Sequence, residues 1–168
     1  MTDAPFLTQP PEALLRALNE TGARVPLSFE LFPPKGPDGQ DVLHETVRRL
    51  APVAGRGFSV TMSRGGATRA RTVETATGIA TDTGRPVMAH LVSLGLTRDA
   101  ALQTAETLWQ RGIRRILALR GDRPEGAAHA LPPGFAHASG LVAALRGLHD
   151  FEIAVAAHPE THPEPASP

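Results

Sequence analysis

A chain of 168 residues is long enough for one domain with a substantial hydrophobic core. Its 17 Lys and Arg residues balance 17 Asp and Glu residues, so the composition carries no electrostatic signature of a protein that binds nucleic acid. The absence of cysteine excludes disulfides, zinc fingers and thiol catalysis, and no signal peptide or membrane-length apolar run is visible, so a cytoplasmic location is predicted.

Five apolar runs predict five β-strands. They span residues 27–32, 58–62, 87–91, 115–120 and 151–157. Their starts are about 30 residues apart, which is the length of one βαβ unit. Because each run is apolar throughout, the sequence predicts a parallel sheet covered by helices.

Helical periodicity fills the gaps between the predicted strands. The apolar faces of the four predicted helices are formed by Leu43, Val47, Leu50 and Ala54, by Val73, Ala76 and Ala80, by Ala101, Leu102, Ala105, Leu108 and Trp109, and by Leu141, Val142, Leu145 and Leu148. Gly84 and Gly112 are predicted to end helices in the left-handed conformation. Thr97 and Ser139 are predicted N-caps. A further helix is predicted from Pro11 to Thr21.

Two architectures suit such a chain, an open doubly wound sheet and a (β/α)₈ TIM barrel. The open sheet usually carries a glycine-rich phosphate loop after its first strand. Residues 33–37, Pro-Pro-Lys-Gly-Pro, stand there instead and cannot supply a row of backbone N–H donors. The sequence therefore favours an incomplete α/β barrel over residues 25–158, with about five of its eight βα units. Residues 1–24 are interpreted as an N-terminal extension and residues 159–168 as a Pro-rich tail.

Polar residues of the kinds that enzymes use lie in or directly after the predicted strands. Glu30 lies in the first, Thr61 in the second and His90 in the third, while Arg120-Gly121-Asp122 follows the fourth. Because the carboxyl ends of parallel strands meet at one edge of the sheet, these residues are expected to gather there. A partly desolvated carboxylate at Glu30 would suit proton donation, and Gly121 would allow a flat ligand to approach the backbone.

Each of these residues also has a structural interpretation. Glu30 is compatible with an edge strand, either exposed or paired with an arginine. A lone histidine in an apolar run, such as His90, is more often a hydrogen-bonded core residue, and the turn after the fourth strand is compatible with a local ion pair. His158 and His162 flank a Pro-Glu dipeptide, but no helix spaces them at ligand distance, so no metal site is predicted.

Five segments, in order and in spacing, resemble methylenetetrahydrofolate reductase. They are SFELFPPK at 28–35, SVT at 59–61, MAHL at 88–91 with GLTR at 95–98, ILALRGD at 116–122 and HPETHPE at 158–164. Members of that family are flavin-containing (β/α)₈ barrels that reduce 5,10-methylenetetrahydrofolate to 5-methyltetrahydrofolate with NADH or NADPH. The product feeds methionine synthesis. The resemblance thus implies an FAD-dependent oxidoreductase of one-carbon metabolism. The balanced charge and the lack of a membrane-length apolar run predict no nucleic-acid or membrane partner.

The resemblance also implies roles for individual residues. Glu30 resembles the family's catalytic acid, which assists opening of the folate's five-membered ring. Asp122 resembles the aspartate beside the flavin and the pterin, where it favours positive charge developing on the folate. The positions that match FAD contacts in the family are Thr61, His90, Leu119, Arg120, Gly121, Asp122, Ala138 and His162. The flavin would supply the hydride chemistry.

Departures from the family's pattern keep alternatives open. The chain contains no tyrosine, and Met62, His137 and His158 stand where the family commonly has tyrosine, which predicts weaker flavin binding. A barrel fragment also leaves unpaired strand edges, so a second copy or a second chain is expected to complete an active enzyme. The alternative is a truncated or degenerate, non-catalytic family member that acts at most as a ligand- or partner-binding module.

Overall fold

The computed structural model describes residues 26–62, 66–122 and 134–157, in which strands and helices alternate. The strands are β1 (Ser28–Leu31), β2 (Gly57–Val60), β3 (Val87–Val92), β4 (Arg115–Leu119) and β5 (Glu152–Val155). The helices are α1 (Pro37–Leu50), α2 (Gly66–Thr83), α3 (Arg98–Gln110) and α4 (Ala138–Leu148). The five predicted strands and the four helices between them are confirmed. The helix predicted from Pro11 to Thr21 and the Pro-rich tail lie outside the described residues.

All neighbouring strands pair parallel, and the order in the sheet follows the order in the chain, β1-β2-β3-β4-β5. An open doubly wound sheet reverses its strand order at a switch point, and no reversal occurs among the five described strands. Consecutive parallel strands joined by helices are the arrangement of a (β/α)₈ barrel. The prediction of an incomplete α/β fold of TIM-barrel type is therefore confirmed.

The hydrophobic core lies between the sheet and the helices. The strand residues with no exposed surface are Val60, Ala89, Leu91, Ile116 and Ala118. The helices contribute Val47, Val73, Ala76, Ile79, Ala101, Ala105, Leu108, Leu141 and Leu145. Because alternate side chains of a strand point to opposite faces, the residues between the core positions face away from the helices. In a barrel this second face is the interior, and it carries Glu30 and His90.

Helix α1 ends four residues earlier than the periodic pattern through Ala54 predicts. Pro52 explains the difference, because proline has no N–H with which to continue the ladder of helical hydrogen bonds. Ala54 nevertheless keeps its place in the core: its side chain has no exposed surface, and its N–H donates to the carbonyl of Leu50 at 3.0 Å. The apolar periodicity therefore continues past the end of the helix.

Three of the four predicted helix ends are confirmed. Gly84 and Gly112 have φ of +61° and +85°, and Thr97 accepts a hydrogen bond from the Ala100 N–H at 3.1 Å. The predicted N-cap at Ser139 is wrong, because the helix begins at Ala138 and Ser139 already has helical backbone. The extended conformation that an N-cap needs is found at His137, whose side chain makes no capping hydrogen bond. No helix in the described ranges is long and apolar enough to span a membrane.

Candidate active site at the carboxyl end of the sheet

Glu30 and His90 meet on the face of the sheet that the helices leave uncovered. The carboxylate Oε2 of Glu30 lies 3.5 Å from Nε2 of His90. In the strand register Glu30 pairs with Ser59, and Ser59 with Met88, so the contact reaches two residues further along β3 than the register row. A TIM barrel builds each interior layer from alternate strands with such a stagger. Glu30 and His90 therefore belong to one interior layer.

Thr61 directly follows β2, the strand that separates Glu30 from His90. Its N–H donates to the carbonyl of Leu31 at 3.0 Å, and its own carbonyl accepts a hydrogen bond from the Thr72 hydroxyl at 2.9 Å. These two bonds fix Thr61 to β1 on one side and to α2 on the other. Its hydroxyl is buried and has no hydrogen-bond partner among the described residues. This oxygen therefore lacks the bond that buried hydroxyls usually make.

His90 differs from the hydrogen-bonded core histidine that its sequence context favours. The residue is 6% exposed, but Nε2 has no hydrogen-bond partner in the described part of the chain, since 3.5 Å to Glu30 is too long for one. Burial lowers the pKa of His90 below its ordinary 6.5, and the negative charge of Glu30 offsets part of that change. The imidazole is therefore neutral at pH 7, with one buried nitrogen still able to donate or accept.

Glu30 shows features of both its functional and its structural interpretation. It lies on β1, which is an edge strand of the described sheet, and 52% of its side chain is exposed. The expected desolvation is thus only partial. Its polar partner within the described residues is His90. The structural interpretation predicts either an exposed glutamate without a partner or a glutamate paired with an arginine. One side of the carboxyl contacts the protein and the other side is exposed. A group that donates a proton to a ligand needs such access.

The segment after β4 is held at the same end of the sheet by β3. The N–H groups of Ser93 and Leu94 donate to the carbonyls of Leu119 and Arg120 at 3.0 and 2.8 Å, which extends the ladder beyond both strands. Gly121 has φ of +89°, and a Cβ there would lie 2.5 Å from the nearer methyl carbon of Val92. Only glycine fits this position without rearrangement. The backbone that leads into Asp122 is therefore fixed against the carboxyl end of β3.

The segment just before α4 packs against the turn between β3 and α3 through contacts that sequence analysis did not predict. Gly134 lies so close to this turn that a Cβ would be 2.1 Å from the carbonyl oxygen of Leu96. The guanidinium carbon of Arg98 lies 4.7 Å from the centre of the buried Phe135 ring. Ala138, a predicted cofactor contact, opens α4 directly after this attachment. The only signal in the sequence is the glycine-aromatic pair just before the helix.

The structure thus gathers most, but not all, of the predicted site residues. Glu30, Thr61 and His90 lie together, and Leu119 at the end of β4 leads into residues 120–122 at the same edge. His158 and His162 lie outside the described residues. Where the chain is described, no group of three or more His, Asp or Glu side chains is arranged to hold a metal ion. The site therefore offers a carboxyl for proton transfer, and buried polar atoms without a partner among the described residues for a ligand.

Comparison with known proteins gives one consistent result. A family model described as methylenetetrahydrofolate reductase matches residues 14–168. The 5,10-methylenetetrahydrofolate reductase of Salmonella typhimurium is 38% identical over 156 residues, which cover 93% of this chain and 51% of that protein. The Escherichia coli protein of the same name is 37% identical over 156 residues with the same coverage. Methylenetetrahydrofolate reductase (NADH) 1 of Arabidopsis thaliana is 34% identical over 89% of this chain and 26% of that protein. This chain spans about half the length of the bacterial relatives.

Proposed function

Because this chain belongs to the methylenetetrahydrofolate reductase family, we propose that it carries the reactive end of a reductase barrel. The proposed reaction is reduction of 5,10-methylenetetrahydrofolate to 5-methyltetrahydrofolate by NADH or NADPH through FAD, which supplies methionine synthesis. The observation that carries the proposal is the meeting of Glu30, Thr61 and His90, with two buried polar atoms that have no partner among the described residues. TIM-barrel enzymes have their active sites at this end of the sheet.

Glu30 is the proposed general acid. Its open side faces the barrel interior, so a folate bound there can take the carboxyl proton on the amine nitrogen that leaves as the five-membered ring opens. A positioned general acid typically contributes about 10²–10⁴-fold to the rate. Asp122, exposed after β4, is the proposed anionic group that stabilises positive charge on the folate.

The described residues fit a flavin at this end of the sheet. The buried Thr61 hydroxyl and His90 Nε2 need polar partners, which the heteroatoms of a flavin ring provide. Gly121, where a side chain would collide with Val92, keeps the backbone around Arg120 and Asp122 at the edge of the sheet where the flavin would lie. The proposed FAD contacts also include Leu119, Arg120, Asp122 and Ala138, together with His162 outside the described residues. The bound flavin would accept and deliver the hydride, and the protein would orient it.

The proposed active unit includes strands beyond the five described. Within the described sheet β1 and β5 each have one unpaired edge, and Phe32 and Val155 at these edges are 71% and 54% exposed. Unpaired edges and exposed large hydrophobic side chains favour association. We propose that further strands cover these edges in the active enzyme.

A second candidate function is ligand binding without hydride transfer. The absence of tyrosine from the whole chain favours it, since three positions at which the family commonly has tyrosine near the flavin lack that aromatic surface and phenolic hydroxyl. In this case the Glu30 end of the sheet would still bind a folate, and flavin would bind weakly or not at all.

The proposal is tested by incubating the purified chain with FAD, separating free flavin by gel filtration, and recording the visible spectrum. We expect retained flavin that bleaches on addition of NADH or NADPH and regains colour with 5,10-methylenetetrahydrofolate. Thr61→Val and Gly121→Ala should reduce flavin retention, whereas Thr107→Val on α3 and Gly112→Ala after α3 should not. A folded chain that retains no flavin but binds folate would support the second candidate, and one that binds neither would contradict both.

A further inference from the structure

A shallow apolar groove lies along one side of α1, beside the loop that follows β1. The groove has a volume of about 580 Å³. The mainly apolar side chains that line it include Phe32, Pro33, Pro34, Val42, Leu43 and Thr46. Phe32 and Val42 are 71% and 67% exposed, more than any other large hydrophobic side chain in the described part of the chain. Exposed apolar surface of this kind favours contact with another segment or another protein.

The groove lies on the side of α1 that faces away from α2. Gln40 and His44 line the cavity that α1 shares with α2. Gly39, Val42 and Thr46, which are three and four residues apart, line the groove on the other side. The helices α2 and α3 each pack between two neighbouring helices. Among the described helices, α1 has a neighbour only on its α2 side.

The chain enters β1 next to the end of α1. The carbonyl of Leu27 accepts a hydrogen bond from the Arg56 N–H at 2.8 Å. Pro26 lies beside Gly55, where an added Cβ would be 3.9 Å from the Pro26 Cα. The segment that precedes residue 26 therefore joins the fold at the same end of the sheet at which α1 ends.

The connection from the helix predicted over residues 11–21 to β1 has a length that the fold already uses. It consists of residues 22–27, and the connection from α1 to β2 consists of residues 51–56, so each has six residues. Elsewhere in the fold, the helix that precedes a strand packs against that strand and beside the next helix, as α2 packs against β3 and α3. The same arrangement would put a helix that precedes β1 beside α1, on the side of the groove.

The predicted helix also has the length to reach the groove. Val42 lies eight residues before the end of α1 at Leu50, a rise of about 12 Å, and Leu14 lies seven residues before position 21, a rise of about 10 Å. Both helices would run from the carboxyl end of the sheet to its amino end. Leu14 would therefore lie at the level of Val42.

The predicted helix has one apolar and one charged face. Leu14, Leu15 and Leu18 lie on one side. The opposite side carries Glu12, Arg16 and Glu20, which are four residues apart. An isolated helix of this length is only marginally stable in water. Its leucine face therefore needs an apolar surface to pack on, and the groove on α1 is such a surface.

We propose that residues 11–21 form a helix that docks in this groove, with its three leucines against Phe32 and Val42. The chain then covers the outer side of α1 with a segment of its own, and the backbone edge of β1 stays available to a further strand. The inference goes beyond the proposed function and does not depend on flavin binding. A second copy of the chain in the groove is the alternative that the experiments separate from it.

Limited digestion of the purified full chain with trypsin tests the inference, because Arg16 lies in the middle of the segment. Docking protects the bond after Arg16. We expect Val42→Asp to speed cleavage there by about 10-fold or more, because a carboxylate in the groove opposes docking and proteolysis follows the population of the open form. Val155→Asp is the matched control, since Val155 is also exposed but lies on β5 at the other edge of the sheet. Equal cleavage rates in Val42→Asp and the unchanged chain would overturn the inference.

Engineered disulfides provide a second measurement, because the chain contains no cysteine. Val42→Cys combined with a cysteine at Leu14, Leu15 or Leu18 should give a disulfide within one chain under mild oxidation, and Val155→Cys with the same partners should not. A disulfide between two chains would assign the groove to a second copy. That result, or no disulfide for any of the three leucine positions, would overturn the inference. Because FAD is absent from both measurements, failure of the chain to bind FAD would contradict the proposed function alone.

Discussion

The two ends of the sheet each bring a histidine to a glutamate, and the two pairs are built differently. At the carboxyl end, His90 and Glu30 stay 3.5 Å apart without a hydrogen bond. At the amino end, His149 Nε2 and Glu106 Oε2 form a short hydrogen bond of 2.6 Å. Glu106 also accepts a hydrogen bond from Gln110 at 2.8 Å. The same two residue types are thus saturated by protein partners at one end and left open at the other.

The pair formed by His149 and Glu106 at the amino end is also closely packed by aromatic side chains. The His149 ring stacks on Trp109 with centres 4.5 Å apart and planes 4° from parallel, and Phe151 packs edge-on against the Trp109 ring at 5.0 Å. The guanidinium of Arg114 lies 3.9 Å from the Trp109 ring centre. In TIM barrels the amino end serves stability and the carboxyl end serves function. Polar atoms at the carboxyl end that lack a partner within the described residues reduce stability, but they can bind a ligand.

The largest expected effect is on the catalytic rate, when Glu30 and Glu106 are each replaced by glutamine in separate variants. In the assembled enzyme, Glu30→Gln should lower kcat for folate reduction by about 10²–10⁴-fold, because it removes the proton donor. Oxidation of NADH or NADPH with an artificial electron acceptor should stay largely intact. Glu106→Gln, the matched change at the amino end, should leave both rates unchanged. Steady-state assays of both half-reactions measure this contrast.

Equal loss of both activities in Glu30→Gln would mean that Glu30 is structural, as an edge-strand glutamate is in its alternative interpretation. Loss of activity in Glu106→Gln would mean that the amino end is not confined to stability. Circular dichroism of both variants is the control for folding, since neither glutamate lies in the hydrophobic core.

The second largest effect is on stability, and it is expected at the amino end of the sheet rather than at the carboxyl end. Trp109→Ala should lower the free energy of unfolding by about 3 kcal/mol, since it removes the ring on which His149, Phe151 and Arg114 pack. Thr61→Val, at the carboxyl end, should change it by less than about 1 kcal/mol, because the lost hydroxyl has no partner among the described residues. Urea unfolding followed by circular dichroism measures both. A Thr61→Val variant as unstable as Trp109→Ala would show that the site hydroxyl is a structural group.

Most of the fold was predictable from the sequence, and the contacts within the site were not. Apolar runs about 30 residues apart, helical periodicity and the capping residues Thr97, Gly84 and Gly112 are local signals, and each was confirmed. The stagger that brings Glu30 to His90 depends on the register of three strands, which no local pattern contains. The steric requirement for glycine at position 121 likewise depends on Val92, which lies on another strand.

The amino-end cluster was missed for a related reason. Trp109 was predicted only as part of an apolar helix face, because its periodicity is that of a core residue. Its role in packing against His149 and Arg114 arises where α3, α4 and the starts of β4 and β5 converge. The wrong prediction of an N-cap at Ser139 has a different cause. Serine is a favourable N-cap residue, but the helix begins one residue earlier, at Ala138, so Ser139 lies inside it.

Two glycines with left-handed backbone provide a smaller and closely matched comparison. Gly112 at the amino end has φ of +85° and open space around a Cβ, whereas Gly121 has φ of +89° and would place a Cβ 2.5 Å from Val92. Gly112→Ala should lower the free energy of unfolding by about 1 kcal/mol, from backbone strain alone. Gly121→Ala should cost about 2 kcal/mol, because overpacking adds to the strain. Equal costs in urea unfolding would show that the carboxyl end is looser than its contacts indicate.

The smallest expected effect lies in how the stability of each pair depends on pH. Burial lowers the pKa of His90 from 6.5, so the unfolded chain binds more protons than the folded chain between the lowered value and 6.5. Stability from His90 is therefore full above pH 6.5 and falls as the pH falls through the folded value. The hydrogen bond with His149 is the largest cause that lowers the pKa of Glu106 from 4.5. Stability from Glu106 is therefore full above pH 4.5 and is lost only as the pH falls through its own folded value.

Because these windows differ, two variants separate the ends of the sheet. His90→Gln should remove the loss of stability that begins near pH 6.5 and keep the one that begins near pH 4.5, and Glu106→Gln should do the reverse. Urea midpoints at closely spaced pH values measure both, with the single tryptophan, Trp109, as a fluorescent reporter beside His149. If either variant removed both losses, the two pairs would be coupled through the sheet. Protonation at one end would then change the contribution of the other end to stability.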